Sequence, residues 1–318
     1  MILTLTANPS MDRTIELSAP LAHGAVQRAA AAVQDPGGKG VNISRALHAA
    51  NVPTEAIVPG DAHDPVLTVL AEQQVAYSNL PTGEPIRSNI TVVDPDGTTT
   101  KLNAPGTRFD ASLRQALDAL VIERALATGA SWVILAGSLP AGLPSSYYAE
   151  LIGALRAAGF EGKIALDTSE QTLIDSLAQD TKPSLIKPNS EELAQLTGAS
   201  SWEELESSAE LTARTASTLL GGGIEYVLAT LGGGGAVLVT ESGAWHAIHE
   251  PIKVRSTVGA GDSSLAGFVI ASEAGAAPED ALLSAVAYGS AAASLPGTRM
   301  PVPDEVSIDK VTRRELAL

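Results

Sequence analysis

Ser256-Thr257-Val258-Gly259-Ala260-Gly261-Asp262-Ser263 is the stretch from which the rest of the chain is read. A polar strand end runs into two glycines and an aspartate, and Leu265-Ala266-Gly267-Phe268-Val269 continues as an apolar helix. Glycines at a strand-to-helix junction let backbone N–H groups approach an anion, and the helix N-terminus adds the positive end of its dipole. Asp262 then has two readings. It caps the helix, as aspartate often does, or it accepts a hydroxyl proton beside an anion hole for a phosphoryl group. Spacing alone leaves both open.

The 318 residues are 45% hydrophobic and 18% charged, enough for a large core in one large domain or two smaller ones. No apolar run reaches the roughly 18 residues of a membrane span. The first residues, Met1-Ile2-Leu3-Thr4-Leu5-Thr6, lack the charge and apolar core of a signal peptide. There is no cysteine, so disulfide and thiolate chemistry are excluded and a cytoplasmic location is expected. His23, His48, His63, His246 and His249 are scattered without metal-site spacing. A net charge of −16 argues against nucleic acid or an anionic membrane surface as partner. An acidic protein that handles phosphate must place its few cations locally. Two of its seven lysines, Lys39 and Lys187, lie inside glycine- or asparagine-bearing motifs, although solvation at the surface is the ordinary fate of a lysine.

Along the chain, residues 2–6 read as a strand ending at Ala7-Asn8-Pro9-Ser10, with Asp12 just beyond. Residues 14–17 and, more weakly, 26–33 alternate as strands. Pro36-Gly37-Gly38-Lys39-Gly40-Val41-Asn42 is a glycine turn feeding a helix over 43–50. A strand near 54–58 and a helix near 65–74 follow. Residues 87–93 and 98–103 form a hairpin around Asp94-Pro95-Asp96-Gly97, whose Asp-Gly step is a strong turn signal. From there helices at 111–127 and 146–158 alternate with apolar strands at 132–136 and 163–167. A short strand at 184–186, helices near 191 and over 203–220, and strands at 226–230 and 236–240 come next. Two helices, 260–273 and 279–294, finish the fold, and the charged tail after Pro303 carries no signal.

Strands apolar throughout, alternating with amphipathic helices, predict an α/β fold whose mostly parallel sheet is covered on both faces. The half-polar early strands do not fit that sheet. The expectation is one domain over residues 1–318, with a small β lid built from roughly 10–35 and 86–104.

Ligands on such sheets bind outside the carboxyl ends of the strands. Five turns there carry polar residues. They are Asn8 to Asp12, Gly137-Ser138-Leu139-Pro140, Lys187-Pro188-Asn189-Ser190-Glu191-Glu192, Leu231 to Gly235, and Gly259 to Asp262. No G-x-x-x-x-G-K-[ST] is present, and Gly232-Gly233-Gly234-Gly235 lacks dinucleotide spacing. That run reads either as backbone close to a planar or anionic ligand or as a tight hairpin turn.

Together these residues resemble the ribokinase-type, or phosphofructokinase B, family of carbohydrate kinases. Gly37-Gly38-Lys39-Gly40-x-Asn42 is similar to its first signature, Val258-Gly259-Ala260-Gly261-Asp262-Ser263 to its second, and Lys187-x-Asn189-x-x-Glu192 to its metal-linked motif. The resemblance runs in order from Asn8 to Gly297. It implies ATP as donor, Mg²⁺, in-line transfer to a sugar hydroxyl, and a homodimer paired through the lid. It makes Asp262 the base and Gly259, Ala260 and Gly261 the anion hole, the role that phosphoryl transfer needs filled. Asn189 and Glu192 would organise Mg²⁺, and Lys187 would approach the triphosphate. Thr230, Gly232 and Gly235 would line the nucleotide site, with Ser256 and Ser290 near the adenosine. Asp12, Gly38, Lys39 and Asn42 would hold the sugar.

The resemblance also places Arg87, Ser88 and Asn89 where phosphosugar members carry a phosphate-binding arginine. Arg87 with Lys39, Ser138 and Arg28 would surround a second phosphate. Thr6-Ala7-Asn8-Pro9-Ser10-Met11-Asp12, Asn103-Ala104-Pro105-Gly106 and Pro296-Gly297-Thr298 are closer to the branch acting on fructose 1-phosphate than to the ribokinase or adenosine kinase branches. The branches acting on tagatose 6-phosphate and fructose 6-phosphate share most of this pattern. A different class, a sugar-phosphate-binding protein without turnover, would need none of Asp262, Asn189 and Glu192.

Overall fold

The computed structural model describes residues 1–318. The first third of the chain contributes β1 (Ile2–Leu5), β2 (Ser10–Leu17), β3 (Ala29–Gly37), α1 (Lys39–Ala49), β4 (Thr54–Pro59) and α2 (Pro65–Glu72). It continues with β5 (Tyr77–Leu80), β6 (Arg87–Val93), β7 (Thr99–Asn103) and α3 (Ala111–Ala127). The middle contains β8 (Trp132–Ala136), α4 (Tyr147–Ala157), β9 (Lys163–Asp167), α5 (Glu170–Leu177), β10 (Leu185–Ile186) and α6 (Ser190–Thr197). Then come α7 (Trp202–Ser207), α8 (Ala209–Ser217), β11 (Tyr226–Thr230), β12 (Ala236–Thr240) and β13 (Gly243–His249). The chain closes with α9 (Ala260–Glu273), α10 (Pro278–Ala293) and β14 (Val311–Leu316).

Ten strands form the main sheet in the order β14-β13-β12-β11-β10-β9-β8-β1-β4-β5. From β11 to β5 every neighbour is parallel; β12, β13 and β14 add an antiparallel edge. The parallel strands bury both faces, which is why they are apolar without alternation. Leu3, Leu5, Val133, Leu135, Val227 and Ala229 face a core shared with α3 to α8. Their neighbours Ile2, Trp132, Ile134 and Leu228 face a second core with α1, α9 and α10. Each fully buried Leu or Ile in these layers contributes about 1.5–3 kcal/mol. A third, small cluster holds α2 and β4 together, and Met11 of β2 packs into it.

The other four strands form a separate sheet in the order β3-β2-β6-β7. Its registers set Asp12 beside both Asn89 and Asp35, while Ile15 lies beside Ala32 and Val92, and Ile90 beside Leu102. One face is therefore polar and the other apolar, as the alternation requires.

Several elements differ from the sequence reading. The 203–220 helix is two helices, because Ser208 ends α7 and its Oγ accepts from Leu211 N to start α8. The tail after Pro303 ends in an edge strand: Val311 and Leu316 are buried against the sheet while the polar and charged residues between them stay exposed. Only two apolar residues at its ends face inward, too few for a periodic signal. The weak strand read at 26–33 lies at 29–37 and continues to Gly37, so the glycine turn is shorter and α1 begins at Lys39.

Candidate functional site

The main sheet changes direction at β1, whose two neighbours, β4 and β8, are reached by connections running opposite ways. Crevices open at such points at the carboxyl ends of the strands. Helix α1 starts hard against this crevice. Gly38 has φ 112, and a Cβ there would stand 2.4 Å from Thr6 Cγ2; one at Gly40 would stand 2.5 Å from Thr6 Oγ1. Thr6 Oγ1 in turn accepts from Val41 N at 2.8 Å. This fit brings Lys39 and Asn42, one turn apart on the same helix face, to the mouth of the crevice.

Helix α9 meets them from the other side. Gly259 begins it in the left-handed region, φ 77, and no side chain caps it. Ala260 N makes only a long bond to the Thr257 carbonyl at 3.4 Å, and Gly261 N has no main-chain partner, so this turn is left as a donor cradle. Asp262 is buried and accepts from Asn42 Nδ2 at 2.8 Å. The carboxylate thus does not cap its own helix. Burial and the nearby Asp167 charge push its pKa up to about 6, against the opposing pull of Lys39, the Asn42 hydrogen bond and Lys187.

Asp167, at the end of β9, lies beneath both lysines and is fully buried. Lys39 Nζ donates to its Oδ1 at 2.6 Å. Lys187 Nζ stands 3.1 Å from its Oδ2, within ion-pair distance but out of line for a hydrogen bond. Burial alone would raise the Asp167 pKa; the two ammonium groups more than offset it and hold the carboxyl below its usual range. Burial likewise opposes the charge of Lys39, and Asp167 and Asp262 overcome it, so the ammonium stays charged. A Cβ on Gly261 would lie 3.3 Å from Lys187 Nζ, which puts that ammonium against the donor cradle.

A cavity of about 830 Å³ runs from here along the sheet edge. Lys39, Lys187, Asn189, Glu192, Thr230, Gly232, Gly235, Ala260, Gly261, Asp262 and Ser290 all line it. Ile248, Ile252, Val254 and Val286 make its far end apolar. The glycine run lies in the β11–β12 hairpin, and it also faces the cavity: a Cβ on Gly235 would fall 2.0 Å from the Ala247 carbonyl oxygen. The run is thus a tight hairpin turn that also forms part of the cavity wall. Ser256 does not line the cavity; its Oγ accepts from Val258 N, and Thr257 takes the wall position.

The remaining expected residues gather under the polar face of the second sheet. Asn89 Nδ2 donates to Asp12 Oδ1 at 3.1 Å. Arg87 donates to the carbonyls of Asn8, Pro9 and Ala104, which uses three of its five N–H donors. Asn8 Nδ2 reaches Ser138 Oγ and the Leu139 carbonyl, each at 3.4 Å. Ser138 also lines a separate small cavity of about 280 Å³. Arg28 is exposed in the loop between β2 and β3 and bonds to nothing within the chain.

Asn189 and Glu192 form a capping box at the start of α6: Asn189 Oδ1 accepts from Glu192 N at 2.8 Å, and Glu192 Oε2 accepts from Asn189 N at 2.9 Å. The second Glu192 oxygen makes no such bond. Burial, first, and Asp167 raise the Glu192 pKa, with Lys39, the Asn189 amide and Lys187 opposing. No group of three acidic or histidine side chains converges here. One carboxylate oxygen on the wall of this cavity suits a divalent ion that keeps its waters and takes its other ligands from phosphate oxygens.

The sequence reading passes over Asp167. Its signal was present: a carboxylate that follows the apolar run Ile164-Ala165-Leu166, at the same sheet edge as the five polar turns. Thr6 and Asn8 stood in a stretch the sequence singles out, but their contacts with α1 and Ser138 depend on partners distant in sequence.

A family model described as pfkB family carbohydrate kinase matches residues 5–305. The chain is 36% identical over 311 residues to 1-phosphofructokinase of Haloferax volcanii, covering 96% of this chain and 95% of that one. It is 34% identical over 311 residues to 1-phosphofructokinase of Rhodobacter capsulatus, covering 96% and 94%. Among solved structures it is similar to phosphofructokinase-2 from Escherichia coli in complex with fructose-6-phosphate, with TM-score 0.83, 26% identity and 96% of each chain covered. Ribokinase from Thermotoga maritima shares the fold, with TM-score 0.72 at 18% identity over 97% of this chain and 98% of that one.

Proposed function

Because this chain belongs to the pfkB family of carbohydrate kinases, we propose that it transfers the γ-phosphoryl group of ATP to the 6-hydroxyl of fructose 1-phosphate. The products are fructose 1,6-bisphosphate and ADP. The observation that carries the reading is Asp262, a buried carboxylate fixed by Asn42 beside an uncapped helix N-terminus, at the end of a cavity large enough for a nucleotide. The names of two full-length relatives support the choice of acceptor.

Asp262 takes the proton of the attacking hydroxyl. A pKa of about 6 leaves it ionised at neutral pH yet close enough to that pH to accept a proton effectively. As the hydroxyl oxygen bonds to phosphorus, the bond from phosphorus to the bridging β–γ oxygen breaks and ADP leaves. Backbone N–H groups at Gly259 to Gly261 meet the charge on the transferring group, and Lys187 lies beside them. Thr230, Gly232, Gly235 and Ser290 line the nucleotide's place. Mg²⁺, when bound with the nucleotide, neutralises phosphate charge, and the open oxygen of Glu192 is the protein group that would hold it.

The sugar lies between Asp262 and the polar face of the second sheet. Asp12 and Asn89 address its hydroxyls, and the two uncommitted donors of Arg87 meet its phosphate, with Lys39 and Ser138 nearby. The second sheet acts as the lid of a single domain. Its apolar face, with Leu102 59% exposed in the edge strand β7, pairs with that of a second copy. Sedimentation at micromolar concentration should give a dimer; a monomer would remove this pairing.

The functional test is a panel of fructose 1-phosphate, fructose 6-phosphate, tagatose 6-phosphate and fructose with ATP, read as kcat/KM from ADP release. Fructose 1-phosphate should lead by at least tenfold over free fructose, since a charge-assisted phosphate contact is worth about 1.5–3 kcal/mol. A higher value for either 6-phosphate would reassign the acceptor. No ADP release with any of the four would end the kinase reading.

A further inference from the structure

A single buried carboxylate serves two lysines that come from distant parts of the chain. Asp167 is 1% exposed and ends β9, Lys39 opens α1, and Lys187 follows β10. Lys39 stands next to the Gly137 turn, with its Nζ on one oxygen of Asp167 at 2.6 Å; Lys187 stands next to Gly261, with its Nζ 3.1 Å from the other oxygen. Two bonds to the Gly137 turn fix the main chain that carries the carboxylate. The Asp167 carbonyl accepts from Gly137 N at 2.9 Å, and Thr168 Oγ1 donates to the Gly137 carbonyl at 3.0 Å.

Resting on the kinase reading above, we propose that Asp167 is a positioning residue that holds Lys39 and Lys187 as one fixed pair of cations, one toward the sugar and one toward the transferring phosphoryl group. A lysine on its own is a point charge on a flexible stem. Two lysines anchored on the two oxygens of one rigid carboxylate keep a set separation, so the cations are in place before either substrate arrives. Each ammonium has three donors and gives at most one to Asp167, so at least two on each remain for phosphate oxygens. Asp167 also partly neutralises both lysines. It therefore weakens their pull on anions in the ground state while securing their placement.

Those two consequences separate in kinetics. In Asp167→Asn the lysines keep their charge but lose their anchor and their neutralising partner. Turnover should fall about 10- to 100-fold, as misplacement of reacting groups by an ångström does. The KM values for ATP and for the sugar phosphate should stay level or fall, because the freed ammonium groups bind anions more strongly. A merely structural role would instead raise both KM values or lower the folded fraction without that split. A kcat within twofold of wild type, or KM values raised tenfold with kcat unchanged, would overturn the proposal.

Should that variant not fold, the wild-type enzyme still decides. Both ammonium groups contact a fully buried carboxylate, Lys187 at 5% exposure and Lys39 at 33%, so ¹⁵N-lysine labelling should give two Nζ signals without ligand that are protected relative to those of the surface lysines. Lys39→Met and Lys187→Met should each remove one of them. No protected signal in the folded wild type would sink the pairing, whatever reaction the enzyme is found to catalyse. A failure of the acceptor panel, with both signals present, would fall on the kinase reading alone.

Discussion

Asn42 Nδ2 donates to Asp262 Oδ2 at 2.8 Å, joining the first turn of α1 to the first turn of α9 across 220 residues of sequence. The resemblance assigned Asn42 to the sugar; in the structure its amide holds Asp262, the proposed base. The bond leaves the other carboxylate oxygen without a side-chain partner, available to the acceptor in the proposed reaction, and it favours the ionised form. Asn42→Leu should therefore raise the apparent pKa of the acid limb of kcat/KM above that of wild type, because the Asn42 hydrogen bond lowers the Asp262 pKa, and lower kcat about tenfold or more. An unshifted acid limb would leave Asn42 as a sugar contact only.

The raised pKa of Asp262 has a consequence for stability. Its ordinary value is 3.8 and its folded value about 6, so the folded state binds its proton more tightly than the unfolded chain does. The associated stability is full below pH about 4 and is lost as pH rises through about 6, up to roughly 3 kcal/mol by pH 8. Asp262→Asn has no proton to lose. It should unfold at higher urea than wild type at pH 8, with the difference shrinking toward pH 4. Equal midpoints at pH 8 would mean that burial does not disfavour the charged form.

Gly235 is constrained by φ 83 and by the Ala247 carbonyl oxygen 2.0 Å from where a Cβ would be. Gly235→Ala must move the hairpin backbone that lines the nucleotide end of the cavity. The expected cost is about 1–3 kcal/mol in thermal or urea melts, with the KM for ATP raised severalfold and that for the sugar phosphate unchanged. A matching rise in both KM values would mean that the loop does not serve the nucleotide alone.

Much of this was legible in the sequence because it is local. The apolar strands, the Asp-Gly hairpin and the start of α9 at Ala260 depend on neighbours a few residues away. What escaped depends on distant partners. Asp167 gains its meaning only when Lys39 and Lys187 fold onto it, and β14 is a strand only because β13 offers it an edge. The same applies to the capping box of Asn189 and Glu192. Its spacing satisfies the helix-start rule as well as the metal motif, and one pattern held two explanations. Arg87, too, is a basic residue on a strand until its three carbonyl partners are known.

The central claim is that Asp262 removes the acceptor's proton, and the turnover of Asp262→Asn tests it most directly. The amide keeps the shape of the side chain but cannot take the proton. With ATP, Mg²⁺ and fructose 1-phosphate saturating, and nucleotide and sugar binding verified by calorimetry, kcat should fall at least about a hundredfold. A variant that binds both substrates and retains more than about a tenth of wild-type turnover would contradict the claim, because base catalysis typically contributes about 10²–10⁴.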